Sequence, residues 1–140
     1  MSNLQPRLEE IVEDFSLCVG QEKLEYLLEF AEKLPPLPNW VDTSEANMDQ
    51  VHECVSPVFI YPEWKEGQIF YHFDIPEEAP TVRGYASLLQ EGIGWTTPEA
   101  IEQIPQEFYL QMGLQHVLTG QRLNGVTAVL AHMKQLARNP

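Results

Sequence analysis

The apolar residues of this chain change period twice, and where they change restricts the fold more than any composition figure. From Leu4 through Leu8, Ile11, Val12, Phe15 and Val19 they recur at three- and four-residue steps, the mark of an amphipathic helix that Gly20 is placed to end. Leu24, Leu27, Leu28, Ala31 and Leu34 repeat that spacing, and Pro35, Pro36 and Pro38 then forbid a continued helix. A polar, turn-rich stretch over residues 39–50 reads as a surface loop. Beyond it the period falls to two: Ile69, Tyr71, Phe73 and Ile75 alternate with Phe70, His72 and Asp74. Lys65-Glu66-Gly67-Gln68 reads as a turn that joins this strand to the apolar run over residues 55–61, giving a small antiparallel sheet. Pro57 and Pro62 lack the donor a ladder needs, so the first strand is expected to be an edge or irregular one.

After Pro80 the helical spacing returns in Val82, Tyr85, Ala86 and Leu89, ending near Gly92 and Gly94. Thr97-Pro98-Glu99 combines an N-cap, a proline at the first helical position and an acid in the first turn, which predicts a short helix over residues 98–104. Phe108 and Met112 suggest another short helix. Thr119 is placed to cap a final long one carrying Leu123, Val126, Leu130, Met133 and Ala137 on one face. With 140 residues, 44% of them hydrophobic, the chain has the size of one domain, expected over residues 1–140, and can bury roughly two-thirds of its unfolded surface.

Charge narrows the partners. Twenty-one acidic residues against 8 basic ones give a formal charge of -13, which repels phosphate backbones, so nucleic acid is not an expected partner. Residues 1–10 alternate polar and apolar side chains and no later stretch reaches the length that spans a bilayer, so a cytoplasmic protein without a membrane partner is expected.

The two cysteines, Cys18 and Cys54, are expected as thiols in a reducing cytoplasm. His52 and Cys54 do not make a hydrolytic pair, since no oxyanion-hole motif or third orienting residue accompanies them. Thioredoxin-like chemistry lacks its Cys-x-x-Cys pair. His52, His72, His116 and His132 lack metal-ligand spacing, so no metal is expected and each histidine reads as structural or solvated. Cys18, beside Val19 and one turn after Asp14 and Phe15, reads as a half-buried helix residue, with a reactive role as the alternative. Cys54 stands at a loop–strand junction, where a thiol can be exposed or tucked under its own loop. Its acidic neighbours Asp49 and Glu53 do not activate it: one carboxylate about 7 Å away in water costs a thiolate roughly 0.6 kcal/mol. A nucleophile made competent inside a partner's site fits this setting better than a freely reactive one.

Four stretches then fall in a telling order. Glu22-Lys23-Leu24-Glu25-Tyr26-Leu27-Leu28 runs into Leu34-Pro35-Pro36-Leu37. Val51-His52-Glu53-Cys54-Val55-Ser56-Pro57-Val58 follows, then Val82-Arg83-Gly84, then Leu114-Gln115-His116-Val117-Leu118-Thr119-Gly120-Gln121-Arg122-Leu123-Asn124-Gly125. Together they resemble the SufE family of sulfur acceptors over nearly the whole chain, with Cys54 on the cysteine of that family's Val-x-Gly-Cys-x-Ser-x-Val stretch. Glu53 stands where the family usually has glycine, and Glu77-Glu78 where it has a Ser-Asp pair, which leaves the shape of the Cys54 loop open.

The resemblance implies an α+β fold, a small antiparallel sheet flanked by helices, with Cys54 at a loop tip. It implies that Cys54 receives persulfide sulfur from a SufS-like cysteine desulfurase and relays it to an iron–sulfur scaffold complex. It implies no cofactor in this chain, pyridoxal phosphate belonging to the desulfurase. Arg122 is placed near the reactive loop, and Arg122 and Arg83 become candidates for stabilising a thiolate or meeting the partner, with a surface arginine at a helix start as the alternative. The rival class is a regulator that binds and activates the desulfurase without carrying sulfur.

Overall fold

The structure is a computed structural model of the chain and describes residues 4–42, 49–52, 54 and 56–139. Residues 43–48 of the expected loop, with Glu53 and Val55, lie outside the described residues. Among the described residues five α-helices and three strands follow in the order α1 (Pro6–Leu17), α2 (Gln21–Lys33), β1 (Asp49–Gln50), β2 (Phe59–Lys65), β3 (Gln68–Asp74), α3 (Pro80–Ile93), α4 (Pro98–Glu102) and α5 (Gly120–Arg138). Two 3₁₀ turns, Phe108–Met112 and Leu114–His116, precede α5.

Helix α1 starts with proline at its first position and buries Leu8, Ile11 and Phe15. It stops earlier than the apolar spacing suggests. Cys18 is its extended C-cap, and Leu17 and Val19 are 80% and 77% exposed. The chain reverses here: Gly20 takes φ 55°, a conformation glycine adopts without a Cβ penalty, and the Glu22 carboxylate accepts from the Val19 N–H at 2.7 Å. Val19 therefore continues the stripe in sequence but not in space, and Cys18 stands past the helix rather than within it.

The sheet has the order β1-β2-β3 and is antiparallel throughout, with Tyr61 opposite His72 and Lys65 opposite Gln68. Glu66 and Gly67, both at positive φ, form the two-residue turn whose twist matches the flanking strands. The first strand begins at Phe59 and passes through Pro62. β1 pairs only with Phe59 and Ile60, while the Val58 carbonyl accepts from Val51 on the same edge. β2 is thus the middle strand of the sheet rather than an edge, and strand alternation turns the Pro62 nitrogen to its β1 side, two residues past Ile60, the partner of Asp49.

Ile60, Ile69, Tyr71 and Phe73 point to one face and join the core, while Phe70 and His72 stay half-buried on the other. Helix α3 crosses this core with ten of its fourteen residues buried. A Cβ built at Gly84 would collide with the Leu27 carbonyl oxygen, so glycine is what lets α2 and α3 approach so closely. In α5, the Thr119 hydroxyl accepts from the Arg122 N–H and caps the helix, and Val126, Leu130, Met133 and Ala137 are buried.

Candidate functional site

Cys54 is carried by the connection between β1 and β2. That connection is pinned at its neck by the Val51 N–H donating to the Val58 carbonyl at 2.8 Å, and the Cys54 N–H donates to Val51 at 3.3 Å. The half-buried Cys54 thiol turns toward α5, where Sγ donates to the Gly125 carbonyl at 3.8 Å. A Cβ at Gly125 would stand 3.5 Å from the sulfur, an ordinary contact, so a small residue there is enough for the seat.

The thiol borders a cleft of about 220 Å³ lined also by Ser56, Pro80, Thr81, Gln121 and Arg122. Pro80 and Thr81 open α3, and Gln121 and Arg122 open α5. Two helix N-termini therefore meet at one sulfur, each carrying about half a positive charge, and both favour an anion in the cleft. Arg122 adds a full charge at the rim, and exposed Glu78 on the same lining opposes it. The Gly125 carbonyl gives the thiol an acceptor on the α5 side, whereas the cleft side suits an anion; the arrangement can harbour a thiol and accept a sulfur anion.

Of the three residues singled out by sequence, the structure brings Cys54 and Arg122 to one cleft and leaves Arg83 elsewhere. The Arg83 guanidinium donates to the main-chain carbonyls of Ile75 and, at 3.4 Å, Ala31, tying the end of the sheet segment to α2. His52 is an exposed turn residue. Asp49, read from sequence as a neighbour that burdens the Cys54 thiolate, has its carboxylate 2.5 Å from His132 Nδ1 on α5.

Cys18 borders a different, more open cavity with Asp14, Glu22 and Tyr26, and its thiol donates to the Asp14 carbonyl at 3.5 Å. Burial, then the Glu22 carboxylate, pushes that thiol's pKa up. Among the described residues no group of three or more His, Cys, Asp or Glu side chains could hold a metal ion, and no helix is long and apolar enough to cross a membrane.

Sequence reasoning missed Gly125, the N-terminus of α3 and the Asp49–His132 contact. A proline at position 80 signalled the helix start, but nothing local signalled that it faces Cys54.

Fold and cleft together define an α+β domain built around one sheltered thiol at the meeting of two helix N-termini. The chain matches the SufE model, an Fe–S metabolism associated domain, over residues 9–137, and it belongs to the SufE family. It is 39% identical over 138 residues to an uncharacterised SufE-like protein of Mycobacterium tuberculosis, covering 98% of this chain and 95% of that one. The solution structure of a hypothetical protein from Thermus thermophilus superposes with TM-score 0.82 at 35% identity, over 96% of each chain. A cysteine desulfuration protein SufE of Plasmodium falciparum is 25% identical, over 98% of this chain and 56% of that protein. The α+β fold with its antiparallel sheet agrees with the architecture expected from the resemblance.

Proposed function

We propose that this protein is a cytoplasmic sulfur carrier: Cys54 accepts the terminal sulfur of a persulfide on a cysteine desulfurase and passes it to an iron–sulfur assembly scaffold. Family membership supports a sulfur-transfer role in iron–sulfur metabolism, and the desulfuration protein of Plasmodium falciparum supports the choice of donor. The observation that carries the reading is the seat of Cys54, a thiol held on the Gly125 carbonyl at the edge of a cleft headed by two helix N-termini and Arg122.

In the transfer step the Cys54 thiolate attacks the outer sulfur of the donor's Cys–S–SH group. A new S–S bond forms as the donor's S–S bond breaks, and the donor cysteine leaves as a thiolate. The proton stays on the transferred sulfur, so the step is an exchange without net oxidation. The new Cys54 persulfide then gives up that proton to solvent, helix N-termini and Arg122 favour the anion so formed, and the cleft walls slow its attack by bulk thiols and peroxide.

The discriminating experiment follows alanine formation from cysteine by a desulfurase with the native chain and with Cys54→Ser. Stimulation lost in the variant supports the carrier. Equal stimulation by both makes the protein a regulator that carries nothing.

A further inference from the structure

The strand alternation that buries Tyr71 and Phe73 leaves the opposite face of the hairpin to other side chains, and these are aromatic. Trp40 lies 6.0 Å from Tyr61 and 5.4 Å from His72, ring centre to ring centre. His72 lies 5.0 Å from Phe70, and Phe70 lies 5.5 Å from Trp95. Five rings thus form one unbroken stripe along the outer side of β2 and β3, ending on two tryptophans that are 57% and 39% exposed.

Leu17, Val19 and Leu110 are exposed singly elsewhere, whereas here two exposed tryptophans are joined through the half-buried Tyr61, His72 and Phe70, and none of the five rings lines the Cys54 cleft. A tryptophan exposed at each end of one aromatic stripe is the composition of a binding surface rather than of ordinary solvent-facing sheet. We propose that the stripe docks a protein partner through a cationic, arginine-bearing surface.

Charge selects that occupant. Residues 59–74 contain Glu63, Glu66 and Asp74 against Lys65 alone, and the chain as a whole carries -13. A second copy of the chain, a nucleic acid or an anionic membrane would bring more negative charge to this face, whereas a guanidinium is attracted both by the carboxylates and by the faces of Trp and Tyr rings. Glu63 lies within the stripe, its carboxylate 2.8 Å from His72 Nε2 and 29% exposed, where an incoming arginine can reach it.

An oligo-arginine peptide serves as the probe, titrated calorimetrically at physiological ionic strength into the native chain and into Trp40→Ala/Trp95→Ala, which keeps every charge. The double variant is expected to bind about fivefold or more weakly. Equal binding by both chains would assign the affinity to net charge alone and overturn the proposal, as would no binding by the native chain. Should the double variant lose its folded spectrum, amide and indole shifts in the native chain decide instead: shifts centred on Trp40, His72 and Trp95 support the proposal, and shifts confined to α1 and α2 overturn it. Sedimentation of the native chain as a dimer that the tryptophan substitutions dissolve would make the occupant a second copy and would equally overturn it.

Discussion

The sulfur of Cys54 lies 3.8 Å from the carbonyl oxygen of Gly125, a contact that exists only while the sulfur carries a proton. A thiolate in the same place would set two acceptors face to face, so ionisation and departure from α5 are coupled. Free Cys54 is accordingly expected to react slowly with a small alkylating reagent, and faster once a desulfurase favours the outward position. Gly125→Leu fills the seat and is expected to raise the alkylation rate of the free protein severalfold, while Gly125→Ala, whose Cβ makes ordinary contacts at 3.5 Å, changes it little. An unchanged rate in Gly125→Leu with retained helicity would show that the seat does not hold the thiol.

The crossing of α2 and α3 makes a separate prediction about stability. A Cβ at Gly84 meets the Leu27 carbonyl, a backbone atom that cannot turn away, so Gly84→Ala forces the helices apart. Overpacking of this kind costs about 1–3 kcal/mol and outweighs the gain of about 1 kcal/mol that alanine brings to a helix interior. Chemical denaturation is expected to show a net loss; a gain in stability would contradict the close approach.

What local chemistry decides is legible in the sequence. Thr97 with Pro98, Thr119 before α5, and Gly67 in the hairpin turn each act on their own neighbours, and each element forms where those residues put it. Val19 misled because an apolar stripe does not announce where the chain leaves the helix; that follows from the reversal at Gly20. Strand β2 outran its apolar run, through Pro62 to Lys65, because pairing with β3 holds it along its other side, a fact of sheet topology. Cys54 itself was legible through the stretch that resembles the family's. Gly125, 71 residues away, was not, because only the packing of α5 against the loop brings it under the sulfur.

Tyrosine titration supplies a pH test. Burial first, then the Asp14 carboxylate, raises the Tyr26 pKa to about 12 in the folded chain. Burial also raises the Tyr71 and Tyr85 pKa values. A group raised on folding contributes its stability below the unfolded pKa, about 10 for tyrosine, and loses it as the pH climbs through the folded value. Denaturation midpoints are expected to fall between about pH 10 and 12. Tyr26→Phe should fall less steeply over the same window. Identical slopes for the two proteins would mean that Tyr26 gains nothing from its setting.

Cys18 should remain a bystander. Its raised pKa, from burial and then Glu22, leaves little thiolate near neutrality, and its cavity is lined with carboxylates that repel an incoming persulfide anion. Cys18→Ser is expected to leave sulfur loading unchanged. Loading halved by that substitution would point to a relay through both cysteines.

The central claim is that sulfur comes to rest on Cys54. Intact and peptide mass spectrometry of the chain after incubation with a cysteine desulfurase and cysteine tests it most directly. The carrier mechanism predicts a gain of one sulfur atom, reversible by a reducing thiol, on the peptide that contains Cys54 and absent in Cys54→Ser. A chain that stimulates the desulfurase while its mass stays unchanged, or that gains its sulfur on the Cys18 peptide, would contradict it.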